Sequence, residues 1–173
     1  QDVSGTITID TMWTTGNYNL TNSLTVASGA TLTIQPGTTV FLSPGVNLSV
    51  TNGGRLLAEG NASAPIRFVR PLGNASTWGG ITIHGSAGSP ETSICYAHIE
   101  GNGAVAIHSV GGTLLLDHLT FGSTDRQYLS LDGSSFVVSD CHFPTPTASF
   151  EPVHGAGGIK VGGRGIFLRN FFG

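Results

Sequence analysis

Short runs of alternating apolar and polar residues recur along this chain at regular intervals. Leu32, Val40, Leu48 and Leu56 each open such a run, eight residues apart, and Gly37, Gly45 and Gly53 fall between them. Alternation with period two marks a strand with one buried face, and a glycine between runs supplies the turn. A longer period overlies the short one. The triplets Leu32-Thr33-Ile34, Leu56-Leu57-Ala58, Ile81-Thr82-Ile83, Val105-Ala106-Ile107, Leu129-Ser130-Leu131 and Ile159-Lys160-Val161 have third residues separated by 24, 25, 24, 24 and 30. Three eight-residue segments therefore make one circuit. A unit of this size cannot bury its own apolar face and must stack on copies of itself. The pattern predicts an all-β fold, a right-handed parallel β-helix of about six coils, over a β-sandwich that the same periodicity also allows.

A second, out-of-phase set of runs aligns on Ile99, Leu119, Cys141 and Phe171, with steps of 20, 22 and 30. Both sets lengthen to 30 at the same place. That places an insertion in residues 144–158, which hold Pro144, Pro146 and Pro152 and read as a loop leaving the solenoid. The whole of 1–173 is then one domain, with a capping region over 1–30, regular coils over 31–143 and a last coil over 159–173. Alternation predicts Ile83, Ile107 and Leu131 in one buried stack, with Thr82, Ala106 and Ser130 turned outward. At the N-terminal end Trp13 and Tyr18 are expected to lie across the core. At the other end Phe167, Phe171 and Phe172 belong to a coil with no polar segment after it, so this end is expected to be an assembly surface, covered by a second copy or by further coils of a longer chain.

Composition narrows the partners. Charged residues are 10% of the 173 and the net charge is −3, while Ser and Thr number 37 and Gly 26. No basic stripe is present, so nucleic acid is excluded as a partner, and no apolar run is long enough to insert in a membrane. The hydroxyl-rich, weakly charged composition points to a secreted or cell-surface protein. Cys95 and Cys141 fall about two coils apart, near ~10 Å at the usual strand spacing, and are expected to be buried free thiols.

The stretches Ala30-Thr31-Leu32-Thr33-Ile34-Gln35-Pro36-Gly37, Pro65-Ile66-Arg67-Phe68-Val69-Arg70 and Trp78-Gly79-Gly80-Ile81 resemble the opening coils of secreted bacterial proteins of the pectin-lyase-like β-helix superfamily. The segment Phe150-Glu151-Pro152-Val153-His154-Gly155 through Gly163-Arg164-Gly165-Ile166-Phe167 also resembles part of large modular bacterial surface proteins with lamin-tail-like and spore-coat-kinase-like regions. The first resemblance implies a fold shared by polysaccharide lyases, glycoside hydrolases, adhesins and passive stalks. Lyases of that superfamily use a basic residue beside acid-bound calcium, and its polygalacturonase-type hydrolases use an adjacent Asp pair with a further Asp. Here the acids are scattered, with no Asp-Asp pair, and only His154-Gly155 and Gly158-Ile159-Lys160 echo the hydrolase pattern. No catalytic residue and no cofactor is therefore assigned.

Three polar residues follow the triplets at one equivalent position, His84, His108 and Asp132. Imidazole and carboxylate suit zinc or copper, but three in a line fall short of the four ligands of a structural site. Solvent-facing corner residues explain them as well. His98, His118, Asp140 and Asn170 are expected to satisfy backbone groups at a bend. Sequons at Asn19, Asn47, Asn61 and Asn74 are candidate glycosylation sites, with Asn61 and Asn74 in loops. A glycan-binding role would want an exposed aromatic platform, and Trp13, Trp78 and Tyr128 hold no common column position. The expectation is a noncatalytic extracellular structural or adhesive module, possible partners being itself and glycans; the alternative is a carbohydrate-active β-helix.

Overall fold

A computed structural model describes residues 1–124, 126–148, 151–155 and 164–173. Twenty strands form among them, and almost every run of three makes one coil. β1 (Asp2–Ile7), β2 (Thr11–Trp13) and β3 (Asn17–Val26) come first, then β4 (Thr31–Ile34), β5 (Thr39–Leu42) and β6 (Leu48–Val50). The third coil holds β7 (Arg55–Glu59), β8 (Ile66–Val69) and β9 (Ile81–His84), and the fourth β10 (Thr92–Cys95), β11 (Ala97–Ile99) and β12 (Ile107–Val110). Then follow β13 (Thr113–Asp117), β14 (Thr120–Phe121) and β15 (Leu129–Asp132), and after them β16 (Ser135–Ser139), β17 (His142–Phe143) and β18 (Val153–His154). β19 (Gly165–Leu168) and β20 (Phe171–Phe172) belong to the last coil.

Every pairing between these strands is parallel, and each strand pairs with the strand one coil away. The strands stack into three faces. Face one is the seven-stranded sheet β2-β4-β7-β10-β13-β16-β19. Faces two and three share one sheet because the long β3 bends across their common edge, its first half pairing with β5 and its second half with β6. From there face two runs through β8, β11, β14, β17 and β20, and face three through β9, β12, β15 and β18. This is a right-handed parallel β-helix, the hand that parallel crossovers take. Seven rungs span six intervals of ~4.8 Å, about 29 Å.

The eight-residue spacing is the spacing between faces. Leu32, Val40, Leu48 and Leu56 are all buried, and Gly37, Gly45 and Gly53 take φ of 77°, 70° and 83° at the corners between them, a conformation that costs glycine little. From the fourth coil onward the corner between faces one and two narrows to a single left-handed residue, Tyr96, His118, Asp140 and Arg169 in turn, with φ between 47° and 53°. Side chains point inward at alternate positions, so Leu48, Ile81, Ile107 and Leu129 form one fully buried rank. Phe121, Phe143 and Phe172 form another, their rings stacked at 5.1 and 4.8 Å. Ser109 also faces inward, level with Ile83 and Leu131, and shares a 2.9 Å hydrogen bond with the hydroxyl of Ser134.

The register differs from the spacing-based one at several points. Leu32 and Leu56 lie on face one, whereas Ile81, Ile107 and Leu129 lie on face three. Ile107 pairs with Ile81 and Leu129, not with Ile83 and Leu131, and Ala106 is buried. On face two Ile99 pairs with Phe121 instead of Leu119, and Phe171 pairs with His142 instead of Cys141. Residues 1–26 form strands of the stack: Trp13 and Tyr18 stack at 4.6 Å inside it, level with Ile34 and Val40. Val153 and His154, placed by spacing inside the 144–158 loop, are strand β18 paired with Leu129 and Ser130. The triplet Ile159-Lys160-Val161 lies outside the described residues.

Candidate functional site

Face three carries a set of ionisable side chains that meet across successive rungs. Its outward rank runs Thr82, His108, Ser130 and His154 over successive rungs. Asp132 sits two positions along β15 from Ser130, so it lies diagonal to both histidines. His108 Nε2 is 3.4 Å from Asp132 Oδ2, and His154 Nε2 is 3.7 Å from Oδ1. The other nitrogen of His154 is 3.0 Å from Glu151 Oε2, and Ser130 Oγ donates to Asp132 Oδ2 at 3.2 Å. The result is a chain, Glu151 to His154 to Asp132 to His108, half-exposed along its length. His84 stands apart from it, since its rank partners are Val110 and, one rung further, Asp132. The proposed column of His84, His108 and Asp132 is thus two neighbours and an outlier. The two-residue register difference at Ile107 accounts for this.

A second cluster forms at the corner between faces one and two. His118 Nδ1 meets Asp117 Oδ2 at 2.7 Å, Ser139 Oγ donates to Asp117 Oδ1 at 2.5 Å, and the ring of Tyr96 stacks on that of His118 at 4.2 Å. Asp117, His118 and Asp140 offer ligand atoms within 4.8 Å of one another. Yet Asp140 already receives two hydrogen bonds from Arg169, 2.8 Å from Nε and 2.6 Å from Nη2. Those bonds hold its carboxyl below the usual carboxylate range, as a paired cation does. A metal would have to displace the guanidinium. Asn170, one position on, does what a corner amide was expected to do: it accepts from Cys141 N and donates to Val138 O, both at 2.9 Å.

Both cysteines are free, with Cys141 buried and Cys95 only half-buried. Burial pushes the Cys141 thiol up to about 12 and raises that of Cys95. The sequons divide sharply. Asn47 Oδ1 accepts from Gly80 N at 3.1 Å, and a Cβ on Gly79 would stand 2.0 Å from that oxygen, so this side chain is an internal strut. Asn19 donates its amide to Asp2. Asn61 and Asn74 use their oxygens as acceptors in local turns, and among the described residues their amide nitrogens have no partner. Trp13, Trp78 and Tyr128 are all buried, so none can serve as a glycan platform.

Face two holds a feature the spacing did not announce. Beneath the loop that joins β8 to β9 lies a cavity of about 600 Å³ whose lining includes Phe41, Arg67, Arg70, Leu72 and Glu100. The alternation in Ile66-Arg67-Phe68 put Arg67 on the outer face; nothing in the sequence placed a loop over it.

A three-sided parallel β-solenoid with short corners and paired polar ranks on its outer faces is the class these features define. Residues 5–129 match the family model of the pectate-lyase-like beta helix domain, and the chain belongs to that family. No curated protein and no solved structure matches it.

Proposed function

We propose that this domain is a noncatalytic structural or adhesive module of an extracellular β-solenoid protein, with the apolar rung over 166–172 as its association surface. The observation that carries this reading is the end face of the last coil. Ile166, Phe167, Leu168, Phe171 and Phe172 are 44% to 62% exposed, whereas Val138 and Phe143, which pair with Phe167 and Phe172 one rung back, are buried. Phe167 and Phe172 occupy inward ranks and yet are 44% and 54% exposed. A surface of that shape suits another rung of the same kind. The low charge and abundant Ser and Thr support an extracellular setting, and the ionisable groups of face three are engaged with one another across rungs.

Light scattering of residues 1–173 over a concentration series tests the reading. Association that rises with concentration is expected, together with its loss when Phe167, Phe171 and Phe172 are changed to Ser. A strict monomer at high concentration would overturn it. A carbohydrate-active β-helix is the second reading, favoured by the two carboxylates, Asp132 and Glu151, that flank His154 on face three. Turnover of uronate polymers to unsaturated products, or of neutral glycans to new reducing ends, that disappears in Asp132→Asn or Glu151→Gln would establish that reading instead.

A further inference from the structure

The cavity on face two combines unmatched positive charge with an apolar wall. Arg67 projects outward from β8 and, among the described residues, its guanidinium makes no hydrogen bond or ion pair. Arg70 is fixed differently. Its stem lies against Gly101, where an added Cβ would come within 3.0 Å of it, and its Nη1 donates to the carbonyl of Ala75 at 3.3 Å, a neutral acceptor. The one acid of the lining, Glu100, turns its Oε2 to His98 Nε2 at 3.1 Å, and the other nitrogen of that ring is 3.0 Å from Thr120 Oγ1. So one oxygen of the carboxylate is engaged by His98, and two guanidinium groups against a single carboxylate leave an excess of positive charge, on a chain whose net charge is −3. Phe41 and Val69 line the cavity from the sheet, and Leu72, 94% exposed, stands at its lip. A concave site of this volume with few polar groups on an apolar lining is the usual build of a small-ligand site.

We propose that this cavity binds a small organic anion, a carboxylate, sulfate ester or phosphate ester on an apolar body, with the charge between Arg67 and Arg70 and the body against Phe41, Val69 and Leu72. Guanidinium groups pair with such oxyanions through charge-assisted hydrogen bonds. Leu72, at the lip of the cavity, is placed to cover an apolar ligand seated there.

The test is an NMR titration of the 15N-labelled chain with phenyl phosphate, phenyl sulfate and benzoate, reading the arginine Nε–Hε signals, with inorganic phosphate and benzyl alcohol as controls. Saturable shifts at Arg67 and Arg70 are expected with at least one aromatic anion, weaker ones with inorganic phosphate and none with benzyl alcohol. The anion that binds tightest identifies the charged group. Changing both arginines to Gln should weaken that binding about tenfold or more, and Leu72→Ser should weaken the aromatic anion while leaving inorganic phosphate unchanged. Arg67→Gln alone, on an exposed side chain that bonds to nothing, keeps the fold and gives the cleaner comparison. The proposal is overturned if no anion gives saturable shifts, if the arginine variants bind as the unaltered chain does, or if benzyl alcohol binds as tightly as the anions.

Discussion

Replacing Ile107 measures both the core and its register. The side chain is fully buried between Ile81 on one rung and Leu129 on the next, themselves fully buried. Ile107→Ala removes three carbons, worth about 0.8 kcal/mol each by transfer. The cavity left in a rank that cannot close adds to this, for a total of about 3 to 4 kcal/mol. Against a total stability of roughly 5–15 kcal/mol the variant still folds, and a domain of this size should lose about 10 °C of melting temperature. Ile107→Asp strands a charge in the same place at several further kcal/mol and should unfold the domain at room temperature. A double-mutant cycle then reads the register. Ile107 and Leu129 face each other across the rung, so their Ala substitutions should couple by roughly 0.5–3 kcal/mol, and Ile107 with Leu131 by less. Thermal melts and urea titrations supply the numbers. An Ile107→Ala variant within about 1 kcal/mol of the unaltered chain, or stronger coupling to Leu131 than to Leu129, would refute the observed pairing.

Three further outcomes follow from the polar groups. The Cys141 thiol, raised by burial from near 9.0 to about 12, stays protonated in the folded chain while its unfolded counterpart ionises; stability should therefore fall as pH rises from about 9 to about 12. Urea titrations of Cys141→Ala across that range should show a shallower fall, and thiol labelling should reach Cys95 well before Cys141. Asp140 is the opposite case: its carboxyl is held low by Arg169, so its contribution is present above the ordinary carboxylate pKa and lost as pH falls through the lower folded value. In Arg169→Gln an NMR titration of the Asp140 carboxyl should move up toward the ordinary value; an unmoved midpoint would exclude the pairing. Finally, Asn47→Ala should cost about 1–3 kcal/mol by leaving Gly80 N without its acceptor, and expression in a glycosylating host should put a glycan on Asn61 and none on Asn47, read by intact mass.

The strand positions of the first coils were legible because every corner there carries glycine at a constant interval. The register beyond Ala58 was not, for a geometrical reason. One face and its corner take eight residues, so an insertion near that length moves a strand on to the next face while leaving the spacing near 24. The loop between β8 and β9 does this: Ile81 follows Leu56 at almost one coil's distance, yet pairs with Leu48. His118 and Asp140, expected at a bend, do form corners, whereas Tyr96 and Arg169 were not foreseen there, because a single left-handed Tyr or Arg carries no turn signature of its own. At the candidate sites, His108 and Asp132 were singled out and do meet. Their partners Glu151 and His154 were hidden because the Pro-rich segment around them read as loop, and β18 formed inside it.

The tight corners at Tyr96, His118 and Asp140, one or two residues long, divide the circumference into rigid and permissive arcs. Added chain there would push apart two strands separated by only one or two residues, whereas the passage from face two to face three over 70–80 already carries extra length without disturbing the ranks beneath. A foreign peptide spliced between Leu72 and Gly73 should therefore be carried on one flank of an intact solenoid, as a scaffold holds a displayed epitope.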